Sequence, residues 1–142
     1  MSSLPPSSHA LLASLRAVFS GRMVSDPAEM VPWLRDYRQR WGGPALAVVQ
    51  PDSTADVAAV VRWCVEHDAV IVPQGGNTGT RPRPVILLSL SRMQQIRSVD
   101  ALASTMVVEA GCTLQAAQEA AAAHGRLFPL SLASEGSCTV GG

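Results

Sequence analysis

The chain has 142 residues, 47% hydrophobic and 15% charged, which is enough apolar sequence for a core-forming globular domain and too much for a disordered chain. Eleven lysines and arginines balance eleven acids, so the net charge is zero and the basic surface that nucleic-acid binding requires is not indicated. No apolar run reaches the roughly 18 residues of a membrane-spanning helix, so no transmembrane segment is expected.

The first 25 residues contain no acid, but Leu11, Leu12, Leu15, Val18 and Phe19 recur at helical spacing, which reads as a surface helix in preference to a targeting presequence. Gly21 is placed to end that helix. "SDPAEM" then opens a second one, with Asp26 as N-cap, Pro27 at the first helical position and Glu29 reaching back. Pro32 kinks or restarts it, and "WLRDYRQRW" continues it with Trp33, Leu34, Tyr37 and Trp41 as anchors until "GGP" at 42–44 breaks it. Residues 1–44 therefore read as a helical lead-in.

From residue 45 the pattern alternates. Strands are expected near 46–50, 70–73 and 85–89, with a helix over 54–67 capped by Ser53 or Thr54 and carrying Val57, Val60, Val61, Cys64 and Val65 on one face. Strand, helix, strand with apolar residues on both strand faces is the pattern of a βαβ unit with a buried parallel pair. "TMVVEAG" (105–111) gives a further strand, and "TLQAAQEAAAAHG" a helix capped by Thr113 and stopped by Gly125.

Two glycine-rich stretches punctuate this pattern: "PQGGNTGT" after the strand near 70, and "SEGSCTVGG" after the alanine-rich helix. Backbone N–H groups in such turns can form an anion-binding nest, and the missing Cβ atoms permit close approach to a ligand. The first stretch lacks the G-K-[ST] of a P-loop, and "RPRP" after it cannot open a helix as a dinucleotide fingerprint would. On these residues alone a structural turn and a ligand loop both stand.

"PQGGNTGT", "VILLSLSRM", "VVEAGCTLQ" and "FPLSLASEGSCTVGG", in that order, closely resemble the FAD-binding domain of the vanillyl-alcohol-oxidase-type (PCMH-type) flavoproteins, over about residues 22–142. The nearest branch looks like the FAD-linked D-2-hydroxyacid dehydrogenases and glycolate oxidase subunits. The resemblance implies an α+β fold: an N-terminal βαβ subdomain with three short parallel strands, then the start of a second α+β subdomain, with the FAD-binding domain spanning 45–142 and incomplete at its C-terminus. It implies FAD as cofactor, with Pro73, Gln74, Gly75, Gly76, Asn77, Thr78 and Gly79 wrapping the pyrophosphate. Pro129, Leu130, Gly136, Ser137, Cys138, Val140, Gly141 and Gly142 would line the flavin and its ribityl chain. It further implies an oxidoreductase whose full-length form oxidises a 2-hydroxy acid by hydride transfer to flavin N5, with the catalytic histidine and any metal in a C-terminal domain outside this chain. Only "TRPRP" links Gly79 to Val85, where relatives carry further glycines and a serine. The alternative reading is a truncated, non-catalytic remnant that binds flavin weakly or not at all.

The remaining chemistry-bearing residues take structural readings. Cys64, Cys112 and Cys138 have no paired spacing and read as reduced packing residues of a cytoplasmic protein. His9, His67 and His124 share no ligand spacing with them, so no metal site is expected. His67 and His124 fall at helix C-termini, where they complement the dipole. Arg81 and Arg83 read as solvated, Trp33, Trp41 and Trp63 as packing anchors, and Glu109 has no evident partner.

Overall fold

The apolar runs of the first half become a four-stranded sheet. Its strands are β1 (Arg22–Val24), β2 (Ala47–Gln50), β3 (Val70–Gln74) and β4 (Val85–Ser89), in the spatial order β1-β2-β4-β3. The computed structural model describes residues 6–34, 44–74 and 85–141, and the chain divides into two compact units, Met1–Ser89 and Leu90–Gly142. In the first unit β2, β4 and β3 run parallel, as the βαβ pattern requires, and every residue of β2 and β4 is buried.

Two features of this sheet differ from the expectation. The strands flanking the crossover helix are parallel but not neighbours, because β4 lies between them. Pro73 supplies the reason: it has no N–H for a second ladder, which suits β3 to an edge, whereas "VILLS" can be paired on both sides. The three-residue β1, antiparallel to β2, is too short to carry a periodic signal. Gly21 leads into it and does not cap the first helix, α1 (Pro6–Val18). A Cβ on Gly21 would run into the Gln50 carbonyl oxygen and lie 2.8 Å from Pro51 Cα, so the glycine permits the chain to pass against β2.

Two further helices pack on this sheet, and α1 packs on the second of them. α2 (Pro27–Leu34) has the expected N-cap and first-turn proline: Asp26 Oδ1 accepts the Ala28 N–H at 2.7 Å. Pro32 lies inside α2, and the polar continuation expected beyond Leu34 lies outside the described residues. α3 (Thr54–Glu66) is capped by Ser53, whose Oγ accepts from Asp56 N. Its buried face is not the one expected. Val60 and Cys64 are inside, but so are Asp56 and Trp63, while Val61 and Val65 are 39% and 78% exposed. Both stripes share the Val60–Cys64 axis, so periodicity alone cannot choose between them. The choice falls to α1, which packs on α3 and offers Ser14 Oγ to the Trp63 indole N–H at 2.9 Å. α1 itself buries Leu12 and Leu15, Phe19 just beyond it is buried as well, and Val18 is exposed.

Asp56 ties these elements together. Its carboxylate accepts from the Ser20 N–H and hydroxyl and from the Asp52 N–H. The Ser20 backbone bond is the main reason its pKa lies below the usual value.

In the second unit, β5 (Ile96–Asp100) and β6 (Thr105–Val108) form an antiparallel hairpin, followed by α4 (Leu114–Ala123). β5 went unread because "IRSVD" is mostly polar and exposed. α4 matches its expectation: Thr113 Oγ1 accepts from Ala116 N, and Gly125 turns the chain at φ +67°. Glu109, which had no evident partner, has two: it accepts the Gln95 N–H at 2.9 Å and pairs with Arg97 at 3.2 Å. Both lie across the hairpin, 14 and 12 residues away, where no local pattern could indicate them. The Gln95 N–H is the chief cause of the lowered Glu109 pKa.

Candidate functional site

Strand alternation places Val24, Val48, Val70, Val72, Val85 and Leu87 on the sheet face that packs against Met30, Trp33 and Leu34 of α2. Two residues further along each strand, the same face turns polar. Arg22 pairs with Gln50, Gln74 pairs with Ser89, and Gln50 and Ser89 each follow the Val49–Leu88 pair. The result is a polar row, Arg22–Gln50–Ser89–Gln74, across the carboxyl ends of the parallel strands. Gln50 and Ser89 in it are buried. The space beyond the carboxyl ends of parallel strands is where open α/β sheets hold their ligands.

Gln74, the last residue of β3, is held at one end. Its Nε2 donates to the Trp33 carbonyl oxygen at 3.0 Å, and because that oxygen can only accept, the amide nitrogen must face it. Gln74 Oε1 is buried and has no hydrogen-bond partner, the one such side-chain atom among the described residues. Pro73, beside it, is exposed. Gly75, Gly76, Asn77, Thr78 and Gly79 lie outside the described residues, as do Arg81, Arg83 and Gly142.

The second unit gathers the other candidate residues around the start of α4. Ser137 and Cys138 donate their N–H groups to the Ser134 carbonyl, Val140 donates to Cys112 O, and Gly141 donates to Ala110 O. Cys138 O in turn accepts from Leu114 N, and Thr139 bridges Thr113. These four N–H groups are therefore committed within the protein and are not offered as an anion nest. Leu130 and Val140, about half exposed, supply apolar surface, and Gln118 Nε2 pins the Leu130 carbonyl at 2.7 Å. Pro129 and Gly136 are exposed. Gly141 has a packing reason of its own, since a Cβ there would lie 2.7 Å from Ala110 Cα.

Other reactive groups take no part. His67 ends α3 with Nδ1 2.8 Å from Trp63 O and its ring stacked on that indole, and His124 ends α4 with Nδ1 2.9 Å from Ala120 O. Burial pushes the Cys64 thiol up to about 11 and raises that of Cys112, so neither is a ready nucleophile. Among the described residues no group of three or more His, Cys, Asp or Glu could hold a metal. Sequence reasoning missed one feature: a groove of about 350 Å³ in the second unit, lined by Val99, Met106, Leu127 and Phe128, with Asp100 and Arg126 as its charged groups. Its residues come from both hairpin strands and their turn, from α4 and from the segment beyond it, so no local motif marks it.

A family model described as an FAD binding domain matches residues 45–142, a span holding the parallel strands, the hairpin and α4. The chain belongs to the FAD binding domain family. It is 37% identical over 140 residues to the mitochondrial D-2-hydroxyglutarate dehydrogenase of Bos taurus, a match covering 92% of this chain and 25% of that protein. Among solved structures, alkyldihydroxyacetonephosphate synthase superposes with a TM-score of 0.82 at 16% identity, over 99% of this chain and 29% of that one. p-Cresol methylhydroxylase superposes with a TM-score of 0.69 at 18% identity, over 87% and 26%. These two likenesses show the α+β PCMH-type fold expected from the sequence. This FAD-binding domain spans about a quarter of the length of the curated relatives it matches. FAD is its cofactor, and the structure fits that assignment at one atom: the orphaned Gln74 Oε1, at the carboxyl end of β3 and directly before the glycine-rich stretch.

Proposed function

We propose that this chain is the FAD-binding portion of an FAD-dependent oxidoreductase that, at full length, oxidises a 2-hydroxy acid. The observation that supports it is the match of residues 45–142 to the FAD binding domain, joined to 37% identity with a D-2-hydroxyglutarate dehydrogenase. When bound, FAD supplies a two-electron acceptor for hydride at its flavin N5. The chain's own residues bind and orient it. Gln74 and the glycines at 75, 76 and 79 hold the nucleotide end, where missing side chains permit close backbone approach. Leu130 and Val140 in the second unit offer exposed apolar surface to the flavin.

The proton of the substrate hydroxyl needs a base within hydrogen-bond reach. His67 and His124 are committed to their own helix ends and are not offered for that task. Turnover of a 2-hydroxy acid therefore belongs to the full-length protein. Two measurements test this reading. Flavin titrated into the 142-residue chain should bind, and Gly76→Val should abolish retention without altering far-UV circular dichroism. The FAD-loaded chain, given a panel of 2-hydroxy acids and an artificial acceptor, should show no turnover above a no-protein control. Failure of the chain to bind FAD would favour a non-functional remnant, and turnover would reveal a substrate site within these residues.

A further inference from the structure

The pyrophosphate of a nucleotide cannot be the partner of Gln74 Oε1. The Trp33 carbonyl accepts one of the two Nε2 hydrogens and fixes the amide, and Oε1, an acceptor with no proton to give, is left without a partner. Phosphate oxygens at neutral pH are acceptors as well, and two acceptors facing each other repel. Oε1 is buried, so water does not compensate it freely, and an unpaired buried acceptor is a cost that a native fold seldom tolerates without reason. The group that satisfies it must carry O–H or N–H.

We propose that Gln74 positions the bound nucleotide by accepting a hydrogen bond from one of its hydroxyl or amine donors, apart from any contact to its phosphates. The inference rests on the FAD-binding reading above and assigns Gln74 a role within it. FAD offers donors of this class in both halves: ribose hydroxyls and the adenine amine on one side, ribityl hydroxyls and the flavin imide on the other. The setting of the side chain supports recognition. Gln74 closes the polar row Arg22–Gln50–Ser89–Gln74 at the carboxyl ends of the parallel strands, and α2 fixes its amide through the Trp33 carbonyl. The acceptor is thus presented in one orientation, which lowers the entropy lost when a donor docks on it.

The test uses the 142-residue chain with FAD, ADP, FMN and inorganic pyrophosphate as probes, by calorimetry and flavin fluorescence. Gln74→Met keeps the length of the side chain and removes the acceptor, and Gln74→Leu repeats the measurement if the first variant does not fold. FAD affinity should fall about tenfold, the usual worth of one such bond, while the apo-protein keeps its circular dichroism. Pyrophosphate affinity should not change. A loss shared by ADP but not FMN places the donor in the adenosine half, and a loss shared by FMN but not ADP places it in the flavin half. Either supports the proposal. Unchanged FAD affinity in the variant overturns it alone, as does an equal loss for pyrophosphate. An unmodified chain that takes up no FAD overturns the FAD-binding reading as well.

Discussion

The two units use the same apolar vocabulary and reach opposite degrees of burial. β2 and β4 of the first unit, "AVVQ" and "VILLS", are buried at every position, with a neighbouring strand on each side and helices against the faces. β6 of the second unit, "TMVV", alternates between exposed and half-buried, and its partner β5 is almost wholly exposed. Val49 is fully buried and Val107 is 53% exposed, though each is a valine in a strand of four residues. A residue's contribution to the core is set by how many layers and strands surround it. A two-stranded hairpin supplies too few, and such pairs are marginal unless something packs on them.

That contrast predicts a graded set of substitutions. The largest effect is expected from Ile86→Ala in β4, whose side chain is fully buried. It should cost about 2–5 kcal/mol in urea unfolding, from lost transfer energy plus a cavity. Next is Asp56→Ala, which strands the Ser20 N–H and hydroxyl and should cost about 1–3 kcal/mol at neutral pH. The Asp56 pKa is lowered from 3.8, so its contribution is complete above 3.8 and is lost as the pH falls through the lower folded-state value. Wild type and variant should therefore converge in stability only in that acid range, and a gap that persists there would mean the carboxylate charge is not the source.

Smaller effects separate local from tertiary contributions. Ser53→Ala and Thr113→Ala each remove one N-cap and should each cost about 1 kcal/mol. Native-state hydrogen exchange should show the first loss in α3 and the second in α4, and a loss confined to one helix by both variants would break the comparison. Last, Val107→Ala should change stability by less than about 0.5 kcal/mol, as exposed positions do. A cost near that of Ile86→Ala would mean the hairpin is covered in solution.

Much of the fold was legible because its signals are local. Ser53 and Thr113 cap their helices through bonds to residues three positions on, and Gly125 takes the left-handed turn that favours glycine. The candidate site was legible only in part. The motifs marked the candidate nucleotide-binding residues, but not that Ser137, Cys138, Val140 and Gly141 give their N–H groups to carbonyls of the protein. Gln74 could be named from its place before the glycines, while the role proposed for it depends on Trp33, 41 residues earlier in the chain.

The sequence by itself determined the elements other than β1 and β5, the N-caps of α2, α3 and α4, the parallel sense of the βαβ strands, the family and the cofactor. All of these are written in periodicities and motifs that span a few to some tens of residues. Tertiary structure alone decided the insertion of β4 between β2 and β3, the burial of Trp63 in place of Val61 and Val65, the partners of Glu109 and the orphaned oxygen of Gln74. Each of these depends on which distant segment arrives at a face or an edge. A helix with two apolar stripes, or a strand that can pair on either side, is indifferent until its neighbour is in place.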